Sequence, residues 1–90
     1  MRIEPLAIAG LLLVTPRRHG DDRGWFAELY REDLFTAAAG PVHFVQHNHS
    51  YSRPAGTLRG LHFQLEPRAQ GKLVRCARGR ILDVAVDLRR

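Results

Sequence analysis

The run Ile81-Leu82-Asp83-Val84-Ala85-Val86-Asp87-Leu88 alternates along its length. Leu82, Val84, Val86 and Leu88 fall on one face of an extended chain, and Asp83 and Asp87 fall on the other. A helix would scatter the same residues around its circumference, so the period of two predicts a strand. Working back from it, residues 72–77 form a second strand, joined to 81–88 by a short turn around Gly79. Residues 58–65 are a third, with Gly60 inside it marking a bulge or a close backbone approach. Residues 42–48 form a fourth. Residues 25–30 form a fifth, with Trp25, Ala27 and Leu29 on one face and Phe26, Glu28 and Tyr30 on the other. Residues 10–15 are a short apolar run stopped by Pro16. Polar turn formers mark residues 17–24, 50–56 and 66–71 as loops. Residues 32–39 form the single helix: good helix formers, Leu34-Phe35 as the apolar contact, Gly40 as the stop and Pro41 behind it. One short helix and about six strands at short spacing predict an all-β chain, an antiparallel sandwich or barrel. A closed jelly roll has about eight strands. Six leave open edges, which invite pairing with another chain.

The chain has 90 residues, 44% of them hydrophobic and 26% charged, which suits one globular domain at most. No apolar run reaches the ~18 residues needed to span a bilayer. The first residues lack the layout of a signal peptide. The single cysteine, Cys76, excludes a disulfide framework and a thiolate zinc site. It sits in an apolar strand and reads as an inert core residue. A reducing, cytoplasmic setting is expected, with no membrane partner. Fourteen basic residues against nine acidic ones give a formal net charge of +5. All of the basic residues except Lys72 are arginines, whose forked guanidinium suits phosphate. They are dispersed, with no basic stripe alternating with aromatics, so nucleic acid is not the expected partner.

Five histidines stand out: His19, His43, His47, His49 and His62. His47 and His49 form a His-x-His pair on one strand face, with His62 on a later strand, which is one geometry for a metal. The carboxylate that completes a cupin metal site is missing from Ser50, Tyr51, Ser52 and Arg53, so a metal-dependent cupin is an alternative only. Ser50, Ser52 and Cys76 lack the surroundings of an activated nucleophile. The third chemistry is proton transfer at carbon. A histidine inside a barrel accepts a proton near neutral pH. Adjacent strands would bring His62, Lys72 and Asp83 into one cavity. A base beside an ammonium suits proton abstraction next to a carbonyl, where charge develops on oxygen. A buried polar network that only supports packing is the competing explanation.

Five ordered blocks carry a family resemblance. Asp22-Arg23-Gly24-Trp25-Phe26-Ala27-Glu28 resembles a DxRGxFxE pattern. Phe44-Val45-Gln46-His47-Asn48-His49-Ser50-Tyr51-Ser52 resembles FVQxNxSxS. Leu58-Arg59-Gly60-Leu61-His62-Phe63-Gln64 matches LRGLHxQ. Gly71-Lys72-Leu73-Val74-Arg75-Cys76 and Asp83-Val84-Ala85-Val86-Asp87-Leu88-Arg89 match two more. Together they resemble the dTDP-4-dehydrorhamnose 3,5-epimerase family. The resemblance implies a cupin-type antiparallel jelly roll, of which residues 1–90 form the N-terminal portion, and a homodimer. It implies no cofactor and no metal. It implies epimerisation of a dTDP-4-keto-6-deoxyhexose at C3 and C5, in dTDP-L-rhamnose synthesis.

By position, His62 resembles the general base and Lys72 the residue that binds substrate and stabilises the enolate oxygen. Arg23 and Arg59 match nucleotide-holding positions. Glu28 and the segment Gln46-His47-Asn48 match further ligand contacts. Simple alternation puts Arg59 and His62 on opposite faces, which a bulge at Gly60 would reconcile. Family members are about twice this length. Their second half supplies the tyrosine that reprotonates the opposite face and the acidic partner of the histidine. Tyr30 and Tyr51 do not match that tyrosine's motif. The chain therefore carries the base half of a two-face epimerisation. A dTDP-sugar-binding fragment without turnover is the other alternative.

Overall fold

The computed structural model describes residues 1–89. Its regular structure is β apart from one short helix, with four strands and two antiparallel two-stranded sheets. Two compact units are present: Met1–His43 with residues 85–89, and Phe44–Val84. Among the described residues, no helix is long and apolar enough to cross a membrane.

The first unit is built from contacts close in sequence. Strand β1, Arg2–Pro5, pairs with β2, Leu12–Thr15, in the register Arg2↔Thr15 to Pro5↔Leu12. The apolar run around Ala7 is the connection, closed by Leu6 N–H to the Leu11 carbonyl at 2.9 Å. Strand β1 is not marked by alternation in the sequence. It exists because β2 supplies its ladder, and Pro5 is tolerated at its end because proline cannot donate. Strand β3, Arg18–Asp21, pairs with β4, Gly24–Ala27, from Arg18↔Ala27 to Asp21↔Gly24.

Here the structure corrects two expectations. Residues 17–24 are not a loop: only Asp22 and Arg23 lie between the strands, and Arg18–Asp21 is a strand. Its composition hides this, because the partner strand brings the aromatic side chains. Strand β4 stops at Ala27 rather than reaching Tyr30, because its partner β3 begins at Arg18, opposite Ala27.

The helix α1 spans Glu32–Ala39, as its sequence predicts. Its first turn carries Glu32 and Asp33, the charge sign that a helix N-terminus favours. Gly40 ends it at φ +82°, ψ 176°, a conformation open to glycine, and its N–H donates to the Thr36 carbonyl at 2.9 Å. Phe35 is the buried side chain of the described residues, 7% exposed. Its ring meets Tyr30 at 5.6 Å between centroids, tilted by 57°. Arg89 returns to this unit. It donates to the Ala9 carbonyl at 2.6 Å and pairs with Asp87 at 2.9 Å.

The remaining strand expectations, most of which fall in the second unit, are corrected as well. Residues 42–48, 58–65, 72–77 and 81–88 join no β-ladder among the described residues. Alternation gives a strand its faces, but a strand exists only when another backbone pairs with it. Cys76 is corrected as well. It is exposed, with its thiol 3.3 Å from the Arg78 carbonyl, because the sheet that would have buried it is not formed.

Candidate functional site

The β3–β4 hairpin carries the site residues of the first unit. Arg23 lies in its two-residue turn. Asp21 Oδ1 accepts from the Arg23 N–H at 2.9 Å, the local bond that favours aspartate in such turns. Asp21 Oδ2 accepts from Arg23 Nε at 3.3 Å and from its terminal nitrogen at 2.8 Å. The Arg23 side chain, then its backbone N–H, hold the Asp21 carboxyl below the usual carboxylate range. Both groups are exposed, so water screens this pair. The fork of Arg23 is thus occupied by a carboxylate, with which an incoming phosphate must compete.

The two faces of the hairpin differ. On one, the Arg18 guanidinium lies 4.2 Å from the centre of the Trp25 ring. The other carries the His19↔Phe26 pair. There an open hollow of about 290 Å³ is lined by Met1, Arg17, His19, Phe26 and Glu28. Glu28, a sequence-predicted contact, therefore shares a surface with two basic side chains that the sequence reading passed over. The signal was present: with 18 opposite 27, positions 17 and 19 must share a face with 26 and 28.

The other candidate residues lie in the second unit. Gln46 donates to Asn48 Oδ1 at 3.3 Å, so two of the three residues of the Gln46-His47-Asn48 segment are linked. Arg59 donates through Nε and a terminal nitrogen to Ser52 Oγ, at 3.1 and 2.9 Å. Unlike Asp21, this partner is neutral and leaves the guanidinium charge uncompensated. Thr57 Oγ1 donates to the Pro54 carbonyl at 2.8 Å and closes the loop that lets Ser52 reach Arg59. The sequence reading missed Ser52 in this role, and spacing gives no signal for it.

Gly60 has φ +105°, and a methyl built on it would lie 3.5 Å from His62 Nδ1. The imidazole thus folds back over a position without a side chain. Gly60 is not a bulge, since residues 58–65 join no ladder. His47, His62 and Lys72 are exposed and make no hydrogen bond or ion pair among the described residues. The expected cavity joining His62, Lys72 and Asp83 is corrected: the strands that would have aligned them are unpaired, and no bond links the three. Among the described residues, no three His, Cys, Asp or Glu side chains group as metal ligands.

Comparison with known proteins matches residues 5–90 to the family described as dTDP-4-dehydrorhamnose 3,5-epimerase. The dTDP-4-dehydrorhamnose 3,5-epimerase of Sinorhizobium fredii is 55% identical over 89 residues, covering 99% of this chain and 46% of its own. That of Pseudomonas aeruginosa is 55% identical over 91 residues, covering 100% of this chain and 49% of its own. The dTDP-4-dehydrorhamnose 3-epimerase of Streptomyces niveus is 44% identical, covering 99% and 43%. The chain spans about half the length of the curated relatives it matches. No solved structure matches it. Motif order and the match over nearly the whole chain agree: the chain belongs to the dTDP-4-dehydrorhamnose 3,5-epimerase family.

Proposed function

We propose that this chain supplies the base half of an enzyme that epimerises dTDP-4-dehydro-6-deoxy-D-glucose at C3 and C5, giving dTDP-4-dehydro-L-rhamnose for dTDP-L-rhamnose synthesis. Residues 1–90 then form the N-terminal portion of one cupin-type jelly-roll domain, in a cytoplasmic homodimer. The observation that supports this is the family match across residues 5–90, which contains all five motif blocks.

The chemistry follows from the substrate. The C4 ketone acidifies the hydrogens on C3 and C5, because the carbanion left behind is an enolate. His62 takes the proton, and the Lys72 ammonium stabilises the charge that appears on the ketone oxygen. Neither step requires a cofactor. Inversion is completed when a proton returns to the opposite face, from an acid expected in the second half. Arg59, whose only partner among the described residues is a hydroxyl, is suited to the diphosphate. Arg23 joins it once Asp21 yields. Glu28 and the 46–48 segment contact the rest of the ligand. One relative is named a 3-epimerase, which supports a reading in which residues other than His62 choose the carbon.

The test is solvent deuterium exchange into C3 and C5, followed in the 90 residues joined to the second half of a relative. His62→Asn should reduce exchange by about 10²–10⁴-fold, the usual contribution of a general base. Unchanged exchange would refute the role of His62. The 90-residue chain alone should bind dTDP in calorimetry with little or no turnover. Full turnover by that chain would overturn the division of the site into two halves.

A further inference from the structure

Arg59 and Arg23 are held by different chemistry. Asp21 meets Arg23 with a carboxylate, whose charge opposes that of the guanidinium. Ser52 meets Arg59 with a hydroxyl, which accepts from Nε at 3.1 Å and from a terminal nitrogen at 2.9 Å. A hydroxyl has two lone pairs and one O–H. Arg59 takes both lone pairs, so the O–H points away from the guanidinium. Among the described residues that O–H has no acceptor. The pair is also set by the backbone and not by adjacency in sequence. Ser52 and Arg59 are 7 positions apart, and the Thr57 hydroxyl, donating to the Pro54 carbonyl at 2.8 Å, folds the loop between them.

The result is a hydroxyl donor fixed beside a guanidinium that keeps its charge and the N–H groups of its other edge. The shape of this donor set selects its anion. A carboxylate has its two oxygens in one plane, which the arginine fork satisfies alone. A phosphate is tetrahedral, and its further oxygens lie out of the plane of the fork, where a neighbouring hydroxyl can reach them. We propose that Ser52 is a ligand-binding residue: it orients the Arg59 fork through its lone pairs and donates its own O–H to the diphosphate of the bound nucleotide. The proposal rests on the reading of Arg59 as a diphosphate contact and extends it to a second residue. It also explains why a serine serves here. An aspartate would hold the fork as firmly but would oppose its charge and leave no donor for the ligand.

Calorimetric titration of the 90-residue chain with dTDP, and in parallel with thymidine, tests the proposal. Ser52→Ala should weaken dTDP binding about 3- to 10-fold, the usual contribution of a hydrogen bond. It should leave thymidine binding unchanged, since thymidine has no phosphate. Ser52→Thr keeps the hydroxyl and should keep the parent's affinity for dTDP. Ser52→Asp places a carboxylate in the fork and should weaken dTDP binding more than Ser52→Ala does. Arg59→Ala separates the proposal from the reading beneath it. If Arg59→Ala weakens dTDP binding and Ser52→Ala does not, the proposal is overturned and the reading of Arg59 stands. Equal weakening of dTDP and thymidine by Ser52→Ala also overturns it, because Ser52 then only supports the loop. If the parent chain does not bind dTDP, or Arg59→Ala leaves that binding unchanged, the reading of Arg59 falls and the proposal falls with it.

Discussion

Replacing Phe35 with alanine tests whether the first unit is held by its one buried ring. The phenylalanine is 7% exposed, so folding removes about 180 Å² of apolar surface from water. At about 25 cal/mol per Å² this contributes about 4.5 kcal/mol. An extended reference chain overstates burial by up to about 40%, which leaves about 3 kcal/mol. The tilted contact with Tyr30 adds about 1 kcal/mol. A normally packed chain of this length has a total stability of about 5–13 kcal/mol. With Phe35 alone buried among the described residues, this one falls at or below the bottom of that range. Phe35→Ala should therefore melt α1, since a helix of eight residues does not persist in water without packing. Phe35→Leu keeps most of the apolar volume, loses the ring contact, and should cost about 1.5 kcal/mol. The assay is helical circular dichroism against urea for the three chains. A Phe35→Ala chain with its helical signal intact and a stability within about 0.5 kcal/mol of the parent would refute the reasoning.

Three further outcomes are expected. Gly40→Ala places a side chain at φ +82°, ψ 176° and should destabilise α1 by about 1–3 kcal/mol, read in the same urea titration. Asp21 has its folded pKa lowered by Arg23, so its contribution is present above the ordinary value of 3.8 and is lost as pH falls through the lower folded value. The Arg23 amide resonance should move in that acid window, and Asp21→Asn should abolish the movement. In dTDP titration, Arg59→Ala should weaken binding by about 10-fold or more, whereas Arg23→Ala should cost less, because Asp21 already occupies its fork.

How much of this was legible in the sequence follows from the distance between pairing partners. The helix was readable to its ends, because Gly40, Pro41 and the apolar pair act within the helix itself. The hairpin β3–β4 was half readable. Trp25-Phe26-Ala27 shows a strand, but Arg18-His19-Gly20-Asp21 shows only polar residues. What makes that stretch a strand is the two-residue connection, not its own pattern. Of the site, the motif blocks gave residue identities and an order. They did not give Asp21 on Arg23 or Ser52 on Arg59, which are made by turns whose side-chain bonds no spacing rule predicts.

The segments after residue 57 show the opposite case. Residues 58–65, 72–77 and 81–88 have a clearer alternation than either strand of β1–β2, yet β1–β2 forms and they do not. A two-stranded hairpin closes over a few residues, so the entropy of bringing its partners together is small. A short connection is not sufficient, however: 72–77 and 81–88 are joined around Gly79 by three residues and stay unpaired. Alternation therefore records what a segment is built to bury, and a ladder needs a partner backbone held in register besides. His62 and Lys72 lie on two of these unpaired segments. The candidate residues could be named because a motif is local in sequence. The cavity expected for them could not be read the same way, because it needed ladders that the described residues do not form.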